Sequence, residues 1–542
     1  MTEKTEQPGP WSAFKSRAFL VIWTATLIAN TGTWMRDVAS GWLMTDLAPS
    51  PAMVALVQAA TTLPIFVLAL PAGALADIID RRKMLIVMQS FLLLVAAVLA
   101  VFVATGTMTV WILLGLTFAG GIGAAMTQPA FQAVVPELVE RPQLRSAVAL
   151  NSMGINVSRA IGPALGGTLI AVAGVVSAYI LDAIFTLAII LAFLWWKRPQ
   201  PKQTLPAEAF FPAMATGLGY VARSGDMHRV LVRAFAFFFF GSAYWALLPL
   251  IARTVLEGDA TFYGLLMASI GTGAVLGAVL LPRFAKGQPA GRLVLIGSLA
   301  TMIVIAALAL IEWKEAAIGL LFVAGGAWII VLTNLNVAAQ SSLPNWVRAR
   351  GLAIYLTVFF GAMTVGSILW GQLAARVGIE MALFIAAGSG TVAAILAAFF
   401  PLPKGDQDLT PSGHWPEPSV GSQPDNDRGP VMISIEYQIP AGARAAFLED
   451  IYALSRRRKR DGAYGWRVFE DAEHADRFTE VFFAPSWLAH LRQHERVTKD
   501  DAELQDRVRA HHAGEAPPQV RHQLAAHASD KPAEALPHDH SH

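Results

Sequence analysis

The sequence predicts an all-α membrane protein: twelve transmembrane helices in two six-helix repeats, with a small α+β module after them. Three observations predict it. Of the 542 residues, 55% are hydrophobic and 15% charged, where soluble domains carry roughly 25% charged residues. Up to about residue 400 the chain is a series of apolar runs of about 20 residues, and beyond that it turns polar. Such runs match the helix length that crosses ~30 Å of hydrocarbon. Glycines of the first half also meet glycines of the second at a nearly constant shift of about 204 positions.

The N-terminal segment 1–17 has no cleavable signal pattern, because its start is mixed in charge and no small-residue cleavage site follows a short apolar region. The first repeat, 18–196, has apolar spans at about 18–44, 52–76, 84–104, 109–130, 147–172 and 175–196. A polar link, 197–229, leads to the second repeat, 230–402, with spans at about 230–254, 263–284, 292–311, 316–338, 352–375 and 381–400. Lipid offers no partner to open backbone groups, so these spans are helices. A barrel would need alternating segments of about ten residues, and the sequence has none. Basic residues set the orientation. One set of loops holds Lys15, Arg17, Arg81, Arg82, Lys83, Arg145, Lys197, Arg198 and others, and the opposite set holds only Arg253, Lys314 and Arg376. By the positive-inside rule both termini are cytoplasmic.

At a shift of 204, Gly73 meets Gly277, Gly162 meets Gly366, Gly167 meets Gly371 and Gly174 meets Gly378; at 205, FAGGIG (118–123) meets VAGGAW (323–328). Small residues let helices approach closely, so matched glycines predict matched packing contacts. The absence of cysteine excludes disulfides, thiol catalysis and cysteine metal sites. The formal charge of +2 says little, because the distribution of charge matters more than its sum.

Charges inside the apolar part carry the most information. In GALADIIDRRK (73–83), the cations Arg81, Arg82 and Lys83 anchor a hairpin between spans 2 and 3. Asp77 is not explained that way, since acidic residues contribute little to topology; its plainer alternative is a solvated loop carboxylate. Deeper in the spans, Asp37 follows Arg36 in the outer half of span 1, Arg159 is near the middle of span 5, and Asp182 is in the outer half of span 6. Charges at such depth face the bundle interior and pair. Arg159 with Asp37 or with Asp182 is the natural pairing, and the sequence leaves both open. Asp37 is then either a proton-coupling group or half of a structural ion pair; Arg36 receives no role.

GALADIIDRRK resembles the loop 2–3 signature of the major facilitator superfamily, Gly-x-x-x-Asp followed by a basic cluster. RAIGPALGGT (159–168) resembles the Gly-Pro-x-x-Gly-Gly signature of that superfamily's antiporters and exporters. NTGTWMRDVASGWL (30–43) and TQPAFQAVVPEL (127–138) look like the bacterial branch of enterobactin exporters and macrolide efflux proteins, also called transmembrane secretion effectors. The resemblance covers roughly 12–402. It implies a secondary active transporter in a bacterial cytoplasmic membrane. Such a transporter exports a small amphipathic molecule, a siderophore or macrolide for example, by alternating access in exchange for protons. An importer or facilitator is the alternative within that class, and fusion to an oxidative or regulatory cytoplasmic domain is another. Gly73, Asp77, Arg81 and Arg82 would form a conformational latch, and Arg159, Gly162, Pro163, Gly166 and Gly167 the antiporter-type segment at the interface of the halves. One departure stands out. Drug–proton antiporters often carry an arginine in span 4 ahead of a Gly-x-Gly-Ala-Ala run, and here that position is Thr117.

A cargo site between such halves would draw on Asn30, Trp34, Gln58, Asn151, Asn156, Tyr244, Trp245, Trp328, Asn334 and Asn336. Aromatic faces supply area and amides supply orientation, although tryptophans near a membrane interface also serve as anchors. No cofactor, metal or nucleic-acid partner is expected.

After a Pro/Gly/Ser/Asp-rich linker, 403–430, the segment 431–526 reads βαββαβ and suggests a ferredoxin-like fold. It resembles the small dimeric α+β barrels related to antibiotic-biosynthesis monooxygenases. That makes a homodimer through this module, a regulatory role and an oxidative role three open readings. His490 and His494, four apart, are either a metal pair or solvated helix residues. The run Arg456, Arg457, Arg458, Lys459 and Arg460 either contacts anionic headgroups or is solvated. The tail 527–542 is disordered in composition, and its HDHSH is an inert end or a weak metal binder.

Overall fold

The computed structural model describes residues 9–198, 210–284, 286–344, 346–403, 409, 412 and 428–526. The tail 527–542 and most of the linker lie outside the described residues, as do the side chains of Asp77 and His494. The chain divides into two compact units: one of 1–210, 229–339 and 352–402, the other of 211–228, 340–351 and 403–542.

The first unit is built from long helices. The first repeat contains α1 (Arg17–Leu47), α2 (Pro51–Ile78), α3 (Arg81–Ala104), α4 (Val110–Val134), α5 (Leu144–Ala173) and α6 (Val175–Trp195). A further helix, α7 (Phe210–Arg223), which falls in the second unit from residue 211, occupies part of what the sequence left as a plain link. The second repeat contains α8 (Gly225–Leu250), α9 (Ala260–Phe284), α10 (Ala290–Leu308), α11 (Lys314–Ser341), α12 (Arg348–Val377) and α13 (Ile379–Ala398). Twelve of these helices are long and apolar enough to span a membrane. Local chemistry marks their starts. Ser16, Asp80 and Thr109 each accept a backbone N–H three residues on, at the N-termini of α1, α3 and α4. Pro51 occupies the first turn of α2, where its missing N–H costs nothing.

The repeat read from the glycines is present in the packing. A Cβ on Gly162 (α5) would meet Trp34 at 2.7 Å and the Thr31 carbonyl at 3.0 Å on α1; one on its counterpart Gly366 (α12) would meet Ser242 and Phe239 on α8. Gly167 (α5) faces Ala260 and Gly264 on α9, and Gly371 (α12) faces Pro51, Ala52 and Ala55 on α2. Gly162 and Gly366 thus serve equivalent helix pairs within their own halves, and Gly167 and Gly371 equivalent pairs across the two halves. Gly174 and Gly378 complete the set: both turn the chain at positive φ, +79° and +88°, between the last two helices of their repeats. That conformation is costly for any residue with a Cβ.

The second unit contains a four-stranded antiparallel sheet of order β2-β3-β1-β4, with β1 (Val431–Gln438), β2 (Tyr464–Glu470), β3 (Arg477–Ala484) and β4 (Gln519–Leu524). Three helices accompany it: α14 (Arg444–Arg460), α15 (Trp487–Arg496) and α16 (Lys499–Ala510). This is the expected ferredoxin-like order, its second helix present as the two stretches α15 and α16. Alternate residues of β1, from Val431 to Tyr437, are buried with Phe447, Ile451, Trp466 and Phe482.

The basic run on α14 corrects the sequence reading. Arg458 pairs at 2.7 Å with Glu480, which is fully buried and also accepts from Trp466 Nε1 at 2.7 Å. Arg460 pairs with Asp461 and Asp501, and Arg457 with Asp500. Arg458 and Arg460 are therefore buried ion-pair partners rather than headgroup contacts or solvated charges, and Arg457 is paired while partly exposed. A run of adjacent cations on a helix necessarily points some of them inward, and here carboxylates meet them. His490 is likewise no solvated residue: it is fully buried, its ring 4.8 Å from that of His522. Within the same unit, the Arg460 guanidinium lies 5.1 Å over the Tyr220 ring of α7, and Arg496 lies 4.3 Å over Trp346. Tyr220 and Trp346 meet edge to face at 5.6 Å.

Candidate functional site

The cluster after α2 is built on helix ends. Asp80 caps α3 through the Lys83 N–H and pairs with Arg198 at 3.2 Å. Arg81 pairs with Glu137 at 2.8 Å, and Arg198 reaches the same carboxylate at 2.7 Å. Arg82 donates to the Phe193 and Leu194 carbonyls at the end of α6, where a helix C-terminus favours a cation. The loop therefore ties α3 to the segments after α4 and α6. Gly73 has open space around it, and Asp77, whose side chain is outside the described residues, takes no part in this account. Asp80, Glu137 and Arg198 are the members that sequence reasoning missed; Glu137 was in view, inside the quoted TQPAFQAVVPEL.

The intramembrane charges pair differently from the expected scheme. Asp182 does not meet Arg159. Its partner is Arg36, at 3.1 Å, with Asp182 fully buried. Arg36 also lies 3.6 Å from Asp37, which is about one-third exposed. The reason is spacing. Arg36 is one turn from Gly32, whose missing side chain lets α6 come close: a Cβ there would meet Asp182 Oδ1 at 3.0 Å. Ser40, one turn on, shares a hydrogen bond of 3.2 Å with Tyr179 on α6. Arg36, Asp37 and Ser40 line a cavity of about 60 Å³ with Thr33, Thr61, Thr117, Gly120 and Gly121. Thr117, where related antiporters carry an arginine, thus shares its cavity with an arginine supplied by α1.

Arg159 stands apart from these carboxylates. Its guanidinium lies 5.6 Å over the Trp34 ring. Of the ten candidate cargo residues, the structure gathers Tyr244, Trp245 and Trp328, with ring centroids 5.4 to 6.2 Å apart; Trp34 joins them through Arg159, which interacts electrostatically with Tyr244. Asn156 and Asn334 turn their amides to carbonyls one turn back on their own helices. Asn30, Gln58 and Asn151 are half-buried and Asn336 is exposed. In the antiporter-type segment, Gly162 and Gly166 seat α5 against α1, while Gly167 seats it against α9; Pro163 is buried inside α5.

The two repeats meet at the face opposite the start of α1. There Arg253 pairs with Asp46 and Thr45 of α1 and lies 5.2 Å over Trp42. Trp42 stacks on Tyr263 of α9 at 6.1 Å. Arg253 sits in a π turn, Ile251–Val255, that extends α8; such turns recur at functional sites. Deeper in, Thr62 of α2 and Thr364 of α12 share a buried hydrogen bond of 2.7 Å.

A family model described as "Transmembrane secretion effector" matches residues 8–530. The chain belongs to the transmembrane secretion effector family. Among relatives of this family member, the enterobactin exporter of Salmonella choleraesuis is 25% identical over 66% of the chain and 86% of its own length. The staphyloferrin A transporter of Staphylococcus aureus is 24% identical over 48% of the chain, and the macrolide efflux protein A of Streptococcus pyogenes is 22% identical over 50%. The matched stretch spans 66% of the staphyloferrin A transporter and 64% of an MFS-type transporter of Bacillus subtilis. Among solved structures, a POT family transporter in complex with 5-aminolevulinic acid superposes with TM-score 0.60 at 12% identity, over 74% of the chain and 99% of its own. A bacterial homologue of the lysosomal transporter Spinster does so with TM-score 0.55 at 14% identity, over 71% and 96%. These likenesses establish the twelve-helix major facilitator fold.

Proposed function

We propose that this secretion effector is a secondary active transporter that exports a small amphipathic molecule across a bacterial cytoplasmic membrane, in exchange for protons. The observation that carries the reading is the seam between the repeats. It is closed at one face by an ion pair, Arg253 with Asp46, by one hydroxyl pair, Thr62 with Thr364, and by glycine contacts related by the internal repeat. Polar pairs and small residues can part without exposing a hydrophobic core to water. Rigid halves rocking about such a seam constitute alternating access. With the termini in the cytoplasm, the reading that the basic loops support, the closed face is the outer one. The relatives named as exporters of enterobactin and macrolides support the outward direction. Asp37 supports proton exchange, being a carboxylate on a cavity inside the bundle beside an arginine that already has a permanent partner in Asp182.

Inside-out vesicles with an acidic lumen test this reading against a panel of siderophores and lipophilic antibiotics. Uptake of a compound with matching proton release from the lumen, lost in Asp37→Asn, is the expected result. Uptake that survives collapse of both the pH gradient and the membrane potential makes the protein a facilitator instead.

A second reading concerns the C-terminal module. Arg460 and Arg496 hold Tyr220 and Trp346, and these belong to segments that continue into α8 and α12. Those contacts favour a regulatory over an oxidative role. Substitution of both Tyr220 and Trp346 by alanine then changes transport rate while the fold of the helices is kept.

A further inference from the structure

Arg159 is an intramembrane cation that the ion-pair scheme leaves over. Both carboxylates expected for it are engaged by Arg36. Its own backbone is fixed at the seam, since a Cβ on Gly271 of α9 would come within 2.5 Å of the Arg159 carbonyl. Its Nε is buried with no hydrogen-bond partner, and no carboxylate pairs with it among the described residues.

Two more groups share that condition. The Tyr244 hydroxyl and the Trp245 indole nitrogen, both on α8 across the seam, are buried and have no hydrogen-bond partner beyond each other. The chemistry of the three is one-sided. Arginine and tryptophan only donate, and a tyrosine hydroxyl donates readily. Buried polar groups are almost always paired. A cation without a carboxylate partner and a tyrosine O–H without an acceptor, at one seam, call for an anionic acceptor. A guanidinium fork matches the two oxygens of a carboxylate. Around it, Trp34, Trp245 and Trp328 offer aromatic area.

We infer that Arg159, Tyr244 and Trp245 form an anion subsite between the repeats, and that the cargo is a carboxylate-bearing, partly aromatic molecule. The inference rests on the transport reading for its claim that the occupant is cargo; the binding site itself does not depend on it.

The test uses the full chain in lipid nanodiscs, with 1-naphthoate and its neutral counterpart 1-naphthamide as probes, titrated calorimetrically in a carboxylate-free zwitterionic buffer of low ionic strength. The expected result is a preference for the carboxylate of about 10- to 100-fold, the range of a charge-assisted hydrogen bond. Arg159→Gln abolishes that preference, and Tyr244→Phe, which removes one oxygen, reduces it and keeps the proposal testable should the arginine variant not fold. The ligand-free Arg159→Gln protein melts no lower than wild type, because it sheds a half-buried charge that has no carboxylate partner; a purely structural arginine gives the opposite. Equal affinity for both probes, a preference that survives both substitutions, or full competition by chloride overturns the proposal. Export of a lipophilic antibiotic without any carboxylate preference removes the cargo class and leaves the transport reading standing. A carboxylate preference without gradient-driven flux does the reverse.

Discussion

Arg36 of α1 donates to Asp182 of α6 across 3.1 Å, and the carboxylate it meets has no exposed surface. A buried pair of this kind is strongly destabilised when one partner is removed, by about 3–5 kcal/mol, whereas replacing both by apolar residues of similar size is often neutral. Asp182→Asn therefore lowers the melting temperature of the purified protein and its yield in the membrane. Arg36→Met combined with Asp182→Leu restores both without restoring transport. A double variant as unstable as the single one would argue against a mainly electrostatic cost.

Asp37 has a different surrounding and a different prediction. It is about one-third exposed and lines the small cavity with Thr117 and Gly120. Asp37→Asn keeps Arg36 paired with Asp182, so the melting temperature stays within about 1 kcal/mol of wild type in stability. Substrate exchange between vesicles without a gradient persists, while accumulation driven by a pH gradient is lost. Loss of exchange as well would place Asp37 in cargo binding rather than in coupling.

The Arg253 contact with Asp46 holds the seam at one face. The chain has no cysteine, so a single introduced thiol reports without background. Ala260 is buried there, its carbonyl facing Gly167. In an Ala260→Cys protein, a membrane-impermeant maleimide labels slowly, and Arg253→Gln raises the rate several-fold by favouring the state open at that face. An unchanged rate would mean that the helix contacts alone keep the face shut.

Twelve spans, their order, the internal repeat and the βαββαβ module were legible because each has a one-dimensional signature: apolar length, glycine spacing, alternation. The pairing of charges was not. Asp37, Arg36, Arg159 and Asp182 are all visible as intramembrane charges, but which two meet depends on how closely α1 and α6 approach, and that is set by Gly32. The same holds for Arg253, which in sequence looks like a stray cation at a span end. The ion pairs of Arg458 and Arg460 were hidden for a related reason: the inward-facing side of a short polar helix is decided by carboxylates that lie far along the chain, Glu480 and Asp501.

Asp461 gives the C-terminal unit a pH dependence with a definite sign. Burial pushes its carboxyl up to about 6, against the pull of Arg460. The folded state then binds the proton more tightly than the unfolded chain, whose value is 3.8. The folded unit is penalised at pH 7, and the penalty fades as the pH falls through about 6 towards 4. Asp461→Asn removes the titration. The melting temperature of that unit, which in wild type rises as the pH falls from 7 to 4.5, then changes less over this range in the full-length variant. A difference between variant and wild type that is independent of pH would assign the effect to packing.

The repeat makes a prediction that no single site does. Gly167 holds α5 against α9, and Gly371 holds α12 against α2, each through backbone contact that leaves no room for a side chain. If the halves move as equivalent rigid bodies, Gly167→Leu and Gly371→Leu obstruct closure of the same face from opposite sides of the seam. Both variants should then speed maleimide labelling of a cysteine placed at the buried Leu256, and to a similar degree, while leaving melting temperatures close to one another. Acceleration by Gly167→Leu alone would show that closure is controlled by the α5–α9 contact, and that the second repeat keeps the glycine for packing within an otherwise fixed seam.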